Sequence, residues 1–146
     1  MIRGHIIALD TTPSQEEYFA RTAGVARFAY NWALGTWKDI YDLHVLDPDV
    51  ANTSEIELRR ELNALKKDTY PWMLEVTKCA PQMAIKNLGK AFTNFFKGRG
   101  KYPRFKVKGR DDRFTISNDQ FKVDGKAIRL PHLGWVSMRE SLRFEG

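Results

Sequence analysis

Residues 97–113, KGRGKYPRFKVKGRDDR, gather most of the binding chemistry of this chain. The run holds eight Lys/Arg against two Asp, with Tyr102 and Phe105 set among the cations. Gly98, Gly100 and Pro103 prevent it from forming one continuous helix. A phosphate-rich partner is the simplest explanation for so much positive charge in a loop. Lys101, Arg104, Lys106 and Lys108 suit phosphate contact, which positions a nucleic acid but carries little sequence information. Lys97, Arg99 and Arg110 extend the same strip. The rings of Tyr102 and Phe105 can stack on unpaired bases or tie the loop to a core. Stacking is kept as a reading for Tyr102, and anchoring is expected of Phe105.

A second set precedes the loop. Lys78, Gln82, Lys86 and Lys90 recur every four residues. On a helix each such step drifts by about 40°, so they form a slowly winding polar stripe. Gln can pair with adenine in bidentate fashion, and Lys can reach guanine O6/N7 or a phosphate. Catalytic sets are harder to find. His5, His44 and His132 lack metal-ligand spacing, and GRG at 98–100 lacks the rest of a phosphate-loop fingerprint. Asp10 reads as a turn or cap residue rather than a metal ligand. The single cysteine, Cys79, permits neither an internal disulfide nor a cysteine zinc cluster, and reads as a buried thiol. No metal and no cofactor is expected.

The elements that must position these residues follow from periodicity. The chain has 146 residues, about one domain's worth. Its net charge of +6 is unevenly spread. Residues 1–76 hold 8 Lys/Arg against 12 Asp/Glu, and residues 77–146 hold 16 against 6, so the second half should face a polyanion. Ile2–Leu9 reads as a strand, with Ile6, Ile7 and Leu9 as its apolar members. Thr12-Pro13-Ser14-Gln15 reads as a capping box opening a helix to about Leu43. Its apolar stripe is Phe19, Ala23, Ala26, Tyr30, Leu34, Trp37 and Tyr41. Residues 44–54 read as a loop. A second helix over Glu55–Asp68 presents Leu58, Leu62 and Leu65, and Tyr70-Pro71-Trp72 ends it. A third helix begins between Thr77 and Pro81 and runs to Phe96, burying Ile85, Leu88, Phe92 and Phe96. Periodicity then switches to two over Phe114, Ile116, Phe121 and Val123. Asp124-Gly125 signals a hairpin, and strands continue through Val136. The expected class is α+β, with the first strand joining the later ones in one small sheet or barrel. No apolar run approaches the roughly 20 residues that span a bilayer, and no secretory signal is present, so no membrane partner and a cytoplasmic location are expected.

Several segments together resemble the N-terminal part of TnpB, also called OrfB, a family of transposon-encoded RNA-guided nucleases related to type V CRISPR effectors. They are ARFAYNWAL (26–34), YPWMLEV (70–76), KCAPQMAIKNLGKAFTNFFKG (78–98), KYPRFKVKG (101–109) and FKVDGKAIRLPHLGWVSMR (121–139). The resemblance implies a wedge-like β domain interrupted by a helical, helix-turn-helix-like recognition domain. On that plan residues 1–10 are the first wedge strand, 11–96 the three-helix recognition insertion, 97–113 the basic loop and 114–146 the remaining wedge strands. It further implies a guide-like RNA and double-stranded DNA as partners, with Lys78 and Gln82 reading a short DNA motif beside the target and Thr115 as a further contact. The family continues into a RuvC-like nuclease domain and a zinc ribbon that these 146 residues do not contain. The start LDTTPSQ departs from the commoner RLYPTPEQ, so Asp10 stands at a tyrosine-like position.

The leading expectation is therefore a nucleic-acid-binding module without catalysis of its own. One alternative is half of a split RNA-guided endonuclease that needs a RuvC-like partner chain. Another is a truncated remnant with no selected function. A DNA-binding repressor is a weaker reading, since it calls for a dimer and a palindromic site.

Overall fold

A computed structural model of the chain describes residues 4–142. The element order is β1 (Leu9–Asp10), α1 (Pro13–Leu46), α2 (Glu55–Lys66), a 3-10 turn (Pro71–Glu75), α3 (Cys79–Phe96), β2 (Lys122–Asp124), β3 (Ala127–Leu130) and β4 (Gly134–Met138). This is the expected α+β arrangement, with three helices between the first strand and the rest.

Local chemistry explains the helix starts. At α1 the Thr12 hydroxyl accepts from Gln15 N at 3.2 Å, and the Gln15 side chain accepts from Thr12 N at 2.9 Å. Two backbone donors that the first turn cannot satisfy internally are thereby satisfied. Ser54 caps α2 by accepting from Glu57 N. α3 has no side-chain cap on its N-cap residue Lys78; just before it, Thr77 Oγ1 accepts from Cys79 N at 3.2 Å. α1 runs three residues beyond the expected Leu43, and α2 stops two residues short of Asp68.

The helices share one core. Tyr30, Leu34 and Trp37 of α1, Leu58 and Leu62 of α2, Met73 and Val76 of the 3-10 segment, and Ile85, Leu88 and Phe92 of α3 are all buried. Trp37 stacks on Phe92 with ring centroids 4.3 Å apart. Phe28 holds the 3-10 segment against α1 through Tyr70 at 4.8 Å and Trp72 at 4.9 Å. The last turn of α3 outruns this core, so Phe96 is 48% exposed rather than buried, resting on Phe92 and Tyr41. α2 and α3 come so close that a Cβ on Gly89 would lie 2.8 Å from Glu55 Cγ and 2.9 Å from its Cβ.

The sheet is antiparallel in the order β1-β4-β3-β2. β1 pairs with β4 (Leu9 opposite Met138, Asp10 opposite Ser137), so the first strand does join the later ones. The β2–β3 hairpin turns at Gly125-Lys126, where Gly125 takes φ 56°. The sheet stays open, with β1 and β2 as its edges, rather than closing into a barrel. Two sequence expectations change here. Ile2 lies outside the described residues, and of the first strand only Leu9–Asp10 enters the ladder. Phe114 and Ile116 are not in a strand, because no neighbouring strand offers their backbone a ladder. They instead line an apolar groove of about 630 Å³ between α1 and the sheet, together with Phe19, Phe121, Ile128 and Leu130. Phe114 stacks on Phe19 there at 6.0 Å. At the far end Leu142 is 42% exposed, while Phe144 lies outside the described residues. No helix among the described residues is long and apolar enough to cross a membrane.

Candidate nucleic-acid interface

The basic loop is irregular, yet it is fastened to the helices at several points. Asn31 of α1 grips the backbone of Lys106 twice: its Oδ1 accepts from Lys106 N at 2.7 Å and its Nδ2 donates to Lys106 O at 3.0 Å. The Lys106 ammonium sits 4.7 Å from the centroid of the Tyr30 ring. Beyond it the chain makes a tight turn with Gly109 at φ 90°. Val107 N donates to Asp111 at 2.9 Å, Gly109 N donates to Asp112, and Arg27 of α1 pairs with Asp112. The Val107 N–H, aided by neighbouring Arg110, holds the Asp111 carboxyl below the usual carboxylate range. Burial first, and then Asp111, push the Tyr30 phenol up.

These contacts sort the expected phosphate binders. Arg110 is engaged with Asp111 at 3.2 Å, and Lys106 lies over Tyr30. Both act within the loop as well as carrying charge. Lys97, Arg99, Lys101, Arg104 and Lys108 are exposed and form no ion pair among the described residues. The anchoring expected of Phe105 is supplied by Tyr102 instead. Tyr102 meets Phe92 edge-on at 5.5 Å and Phe95 at 5.1 Å, so its ring anchors the loop to α3. Phe105 is 49% exposed and lies over Gly35 of α1. The reason is non-local: α3 ends beside Tyr102, which the spacing within the loop does not reveal.

On α3, Lys78, Lys86 and Lys90 are exposed, while Gln82 is half-buried in a crevice against α2, beside Arg59, Asn63 and Lys66. Lys78 stands at the N-terminus of α3 and Gln82 one turn later, on the same side. Thr115 lies elsewhere. It faces Ala80, Ala84 and Asn87 across a second cleft of about 110 Å³ between α1, α3 and the loop. Ala80, Ala84 and Asn87 occupy the side of α3 away from Lys78 and Gln82, so Thr115 does not share their face. The chain from Thr115 to Asp119 nevertheless passes the start of α3: Ser117 Oγ lies 3.6 Å from Cys79 Sγ, and Lys78 helps lower the Asp119 carboxyl after Ser117 and Gln120.

Three residues escaped the sequence reading. Arg113 lines both clefts and forms no ion pair among the described residues. Asn87 lines Thr115's cleft. Lys66 is 7% exposed at the α2–α3 corner. A signal for Lys66 was available: it continues the apolar stripe of Leu58 and Leu62 at four-residue spacing, where the pattern demands an apolar side chain.

Several carboxylates outside the loop are held by arginines. Arg139 donates to Asp10 at 2.9 Å, Arg59 to Glu55 at 2.6 Å and Arg21 to Glu17 at 2.8 Å. The geometry is that of a helical body with a shared core and with cations on its surface that form no ion pair among the described residues, which is suited to polyanion binding.

Comparison with known proteins agrees. Residues 1–44, which contain β1 and most of α1, match a helix-turn-helix domain of the OrfB type. InsQ of Escherichia coli (strain K12), provisionally named an RNA-guided DNA endonuclease, is 30% identical over 137 residues, covering 90% of this chain and 32% of InsQ. Virulence protein VsdF of Salmonella dublin is 31% identical over 117 residues, 74% of this chain and 95% of VsdF. A Streptomyces pristinaespiralis protein, also provisionally named an RNA-guided DNA endonuclease, is 33% identical over 97 residues, 65% of this chain and 23% of that protein. The chain thus spans a third or less of the two endonuclease-named relatives. On these matches, the chain belongs to the OrfB/TnpB family of transposon-associated, helix-turn-helix nucleic-acid-binding proteins.

Proposed function

We propose that this chain is the recognition module of a TnpB-like protein, holding a guide-like RNA and reading a short target-adjacent motif in double-stranded DNA, without catalysis of its own. The observation that carries the reading is the set of exposed cations Lys97, Arg99, Lys101, Arg104 and Lys108, unpaired among the described residues, on a loop pinned by Asn31, Tyr102 and Asp112. Pinning lowers the ordering cost of each phosphate contact, so charge placed this way binds better than charge on a free tail. In this reading the loop, with Lys86 and Lys90, clamps backbone phosphates. Lys78 and Gln82 read base edges, and Thr115 contributes from the neighbouring cleft. The proposed partition is a wedge-like sheet (1–10 and 114–146), a recognition insertion (11–96) and a phosphate-binding loop (97–113). The names of InsQ and the Streptomyces relative support nucleic-acid partners and leave room for a RuvC-like nuclease segment to act with this module.

The test is fluorescence anisotropy with structured RNA from a transposon end and with duplex DNA, across a salt series. The reading expects salt-dependent binding, with each neutralised duplex phosphate contributing roughly 0.9 to the log–log slope. Absence of binding by folded protein at low salt would refute it.

A further inference from the structure

We propose that the outward face of the sheet, centred on Trp135, is a stacking surface for unpaired bases of RNA. The proposal rests on the reading that this chain holds a structured RNA. It assigns that RNA a surface made of none of the α3 or basic-loop residues named above.

The pairing register builds the surface. Residues directly opposed in an antiparallel ladder share a face and lie side by side. Trp135 of β4 stands opposite Arg129 of β3, and Arg129 stands opposite Lys122 of β2. All three are exposed, so this row faces outward. The alternate residues face the other way: Val136 and Met138 are buried, and Ile128 and Leu130 line the groove under α1. Trp135 is 48% exposed, and its indole has no hydrogen bond, ring contact or cation contact among the described residues. Lys122 and Arg129 form no ion pair among them either. Nearby acids are used elsewhere or stand apart. Asp10 is held by Arg139 at 2.9 Å, and Asp124 lies at the hairpin end opposite Ala127.

The row opens into a groove of about 610 Å³ lined by Asp119, Gln120, Phe121, Lys122, Arg129 and His132, among others. Small-molecule sites span about 300–1,000 Å³, so a nucleotide fits the groove by size. Phe121 adds a second ring, 39% exposed. Gln120 and His132 offer groups that can bond a base edge. His132 is exposed at the second central position of the Leu130–Leu133 turn, with φ 68°. Glycine is the unstrained residue at such a position, and here it carries an imidazole at the groove instead. An exposed ring beside unpaired cations suits a single strand. In a duplex every base is already stacked on its neighbours, whereas an unpaired strand offers a π-face at each base and a phosphate beside it. A protein docked on Trp135 would have to bury two unpaired cations with it, a cost that a phosphate-bearing strand avoids.

The test is fluorescence anisotropy with a short labelled oligouridine, which has no paired bases, beside a duplex DNA. Trp135→Ala should weaken oligouridine binding about tenfold, as for loss of one stacked base, with the salt slope unchanged. Trp135→Phe should retain most of the affinity. Arg129→Ala should lower the salt slope for the strand by about 0.7. Duplex DNA should bind all three variants as it binds wild type. Equal losses for strand and duplex would overturn the surface. Oligouridine binding by Trp135→Ala as tight as that of wild type would also overturn it, and would leave a protein partner as the occupant. Should Trp135→Ala fail to fold, photocrosslinking of wild type to a thiouridine strand decides the matter: adducts within residues 119–137 support the surface, and adducts confined to residues 97–113 overturn it. If wild type binds duplex DNA but not the strand, this surface falls alone. If it binds neither, the recognition reading falls with it.

Discussion

Gly89→Ala sets two calculable effects against each other at the α2–α3 crossing. Ala is the better helix former by about 1 kcal/mol, so an unobstructed helix interior would gain by the change. Gly89 is obstructed. Its added methyl would lie 2.8 Å from Glu55 Cγ and 2.9 Å from Glu55 Cβ, whereas carbon atoms pack best at about 3.5–4.0 Å. The offending atoms are not the free end of a side chain. Cβ is fixed by the α2 backbone, and Cγ is restrained by the Glu55–Arg59 pair at 2.6 Å. α2 must therefore move outward by several tenths of an ångström, an overpacking that typically costs about 1–3 kcal/mol. The net expectation is destabilisation by about 1 kcal/mol, or roughly 3 °C in Tm for a domain of this size. The decisive assay is urea unfolding followed by circular dichroism, on Gly89→Ala alone and combined with Glu55→Gly. Removing the Glu55 side chain removes the obstacle, so in that background Gly89→Ala should become stabilising by about 1 kcal/mol. If Gly89→Ala stabilises the otherwise unaltered protein, the close crossing is not what holds α2 in place.

Four further outcomes follow from the same geometry. Lys101→Ala, Arg104→Ala and Lys108→Ala should each lower the salt slope for duplex DNA by about 0.9, read by anisotropy, with equal effect on all sequences. Gln82→Ala should compress the affinity ratio between preferred and scrambled flanking motifs while leaving that slope unchanged; a changed slope with an intact ratio would assign Gln82 to the backbone. Asn31→Ala removes two hydrogen bonds to Lys106 and should cost about 1–2 kcal/mol, with faster amide exchange confined to the loop. Asp111 titrates lower in the folded chain than unfolded, so its contribution is present above about pH 4 and is lost as pH falls through the folded value; protection of the Val107 amide should disappear over that acid window, and Asp111→Asn should remove the dependence.

Features decided within a few residues were legible in the sequence. The Thr12–Gln15 capping box, the α1 stripe and the Gly125 hairpin each depend on local spacing, and each is found. What failed depends on which distant segment lies alongside. Phe114 and Ile116 alternate as a strand would, but alternation only states that one face is apolar, and here a groove takes that face. Phe96 obeys the α3 period, yet α3 outlasts its core by a turn. Tyr102 and Phe105 are alike in composition, and only the position of Phe92 and Phe95 separates anchor from exposed ring. The proposed reader residues divide in the same way. Lys78 and Gln82 follow from four-residue spacing on one helix, whereas the position of Thr115 depends on how residues 114–121 pass over α3.

The anchoring of the loop decides how its charge can be used. A run of eight Lys/Arg in 17 residues would repel itself and spread if it were free. Here the acids Asp111 and Asp112 bond backbone N–H groups and Arg27, not the loop's outward cations, apart from Arg110. Asn31 and Tyr102 fix the middle of the run to α1 and α3, the helices that carry the core. The loop's position is thus set by neutral contacts and two carboxylates, while its outward cations remain uncompensated. Such an arrangement raises the electrostatic potential of the surface without requiring the partner to order it, which favours both rate and affinity of polyanion capture. Asn31→Ala and Arg104→Ala therefore separate the two contributions: the first should weaken binding with the salt slope kept, the second should lower the slope with loop protection kept.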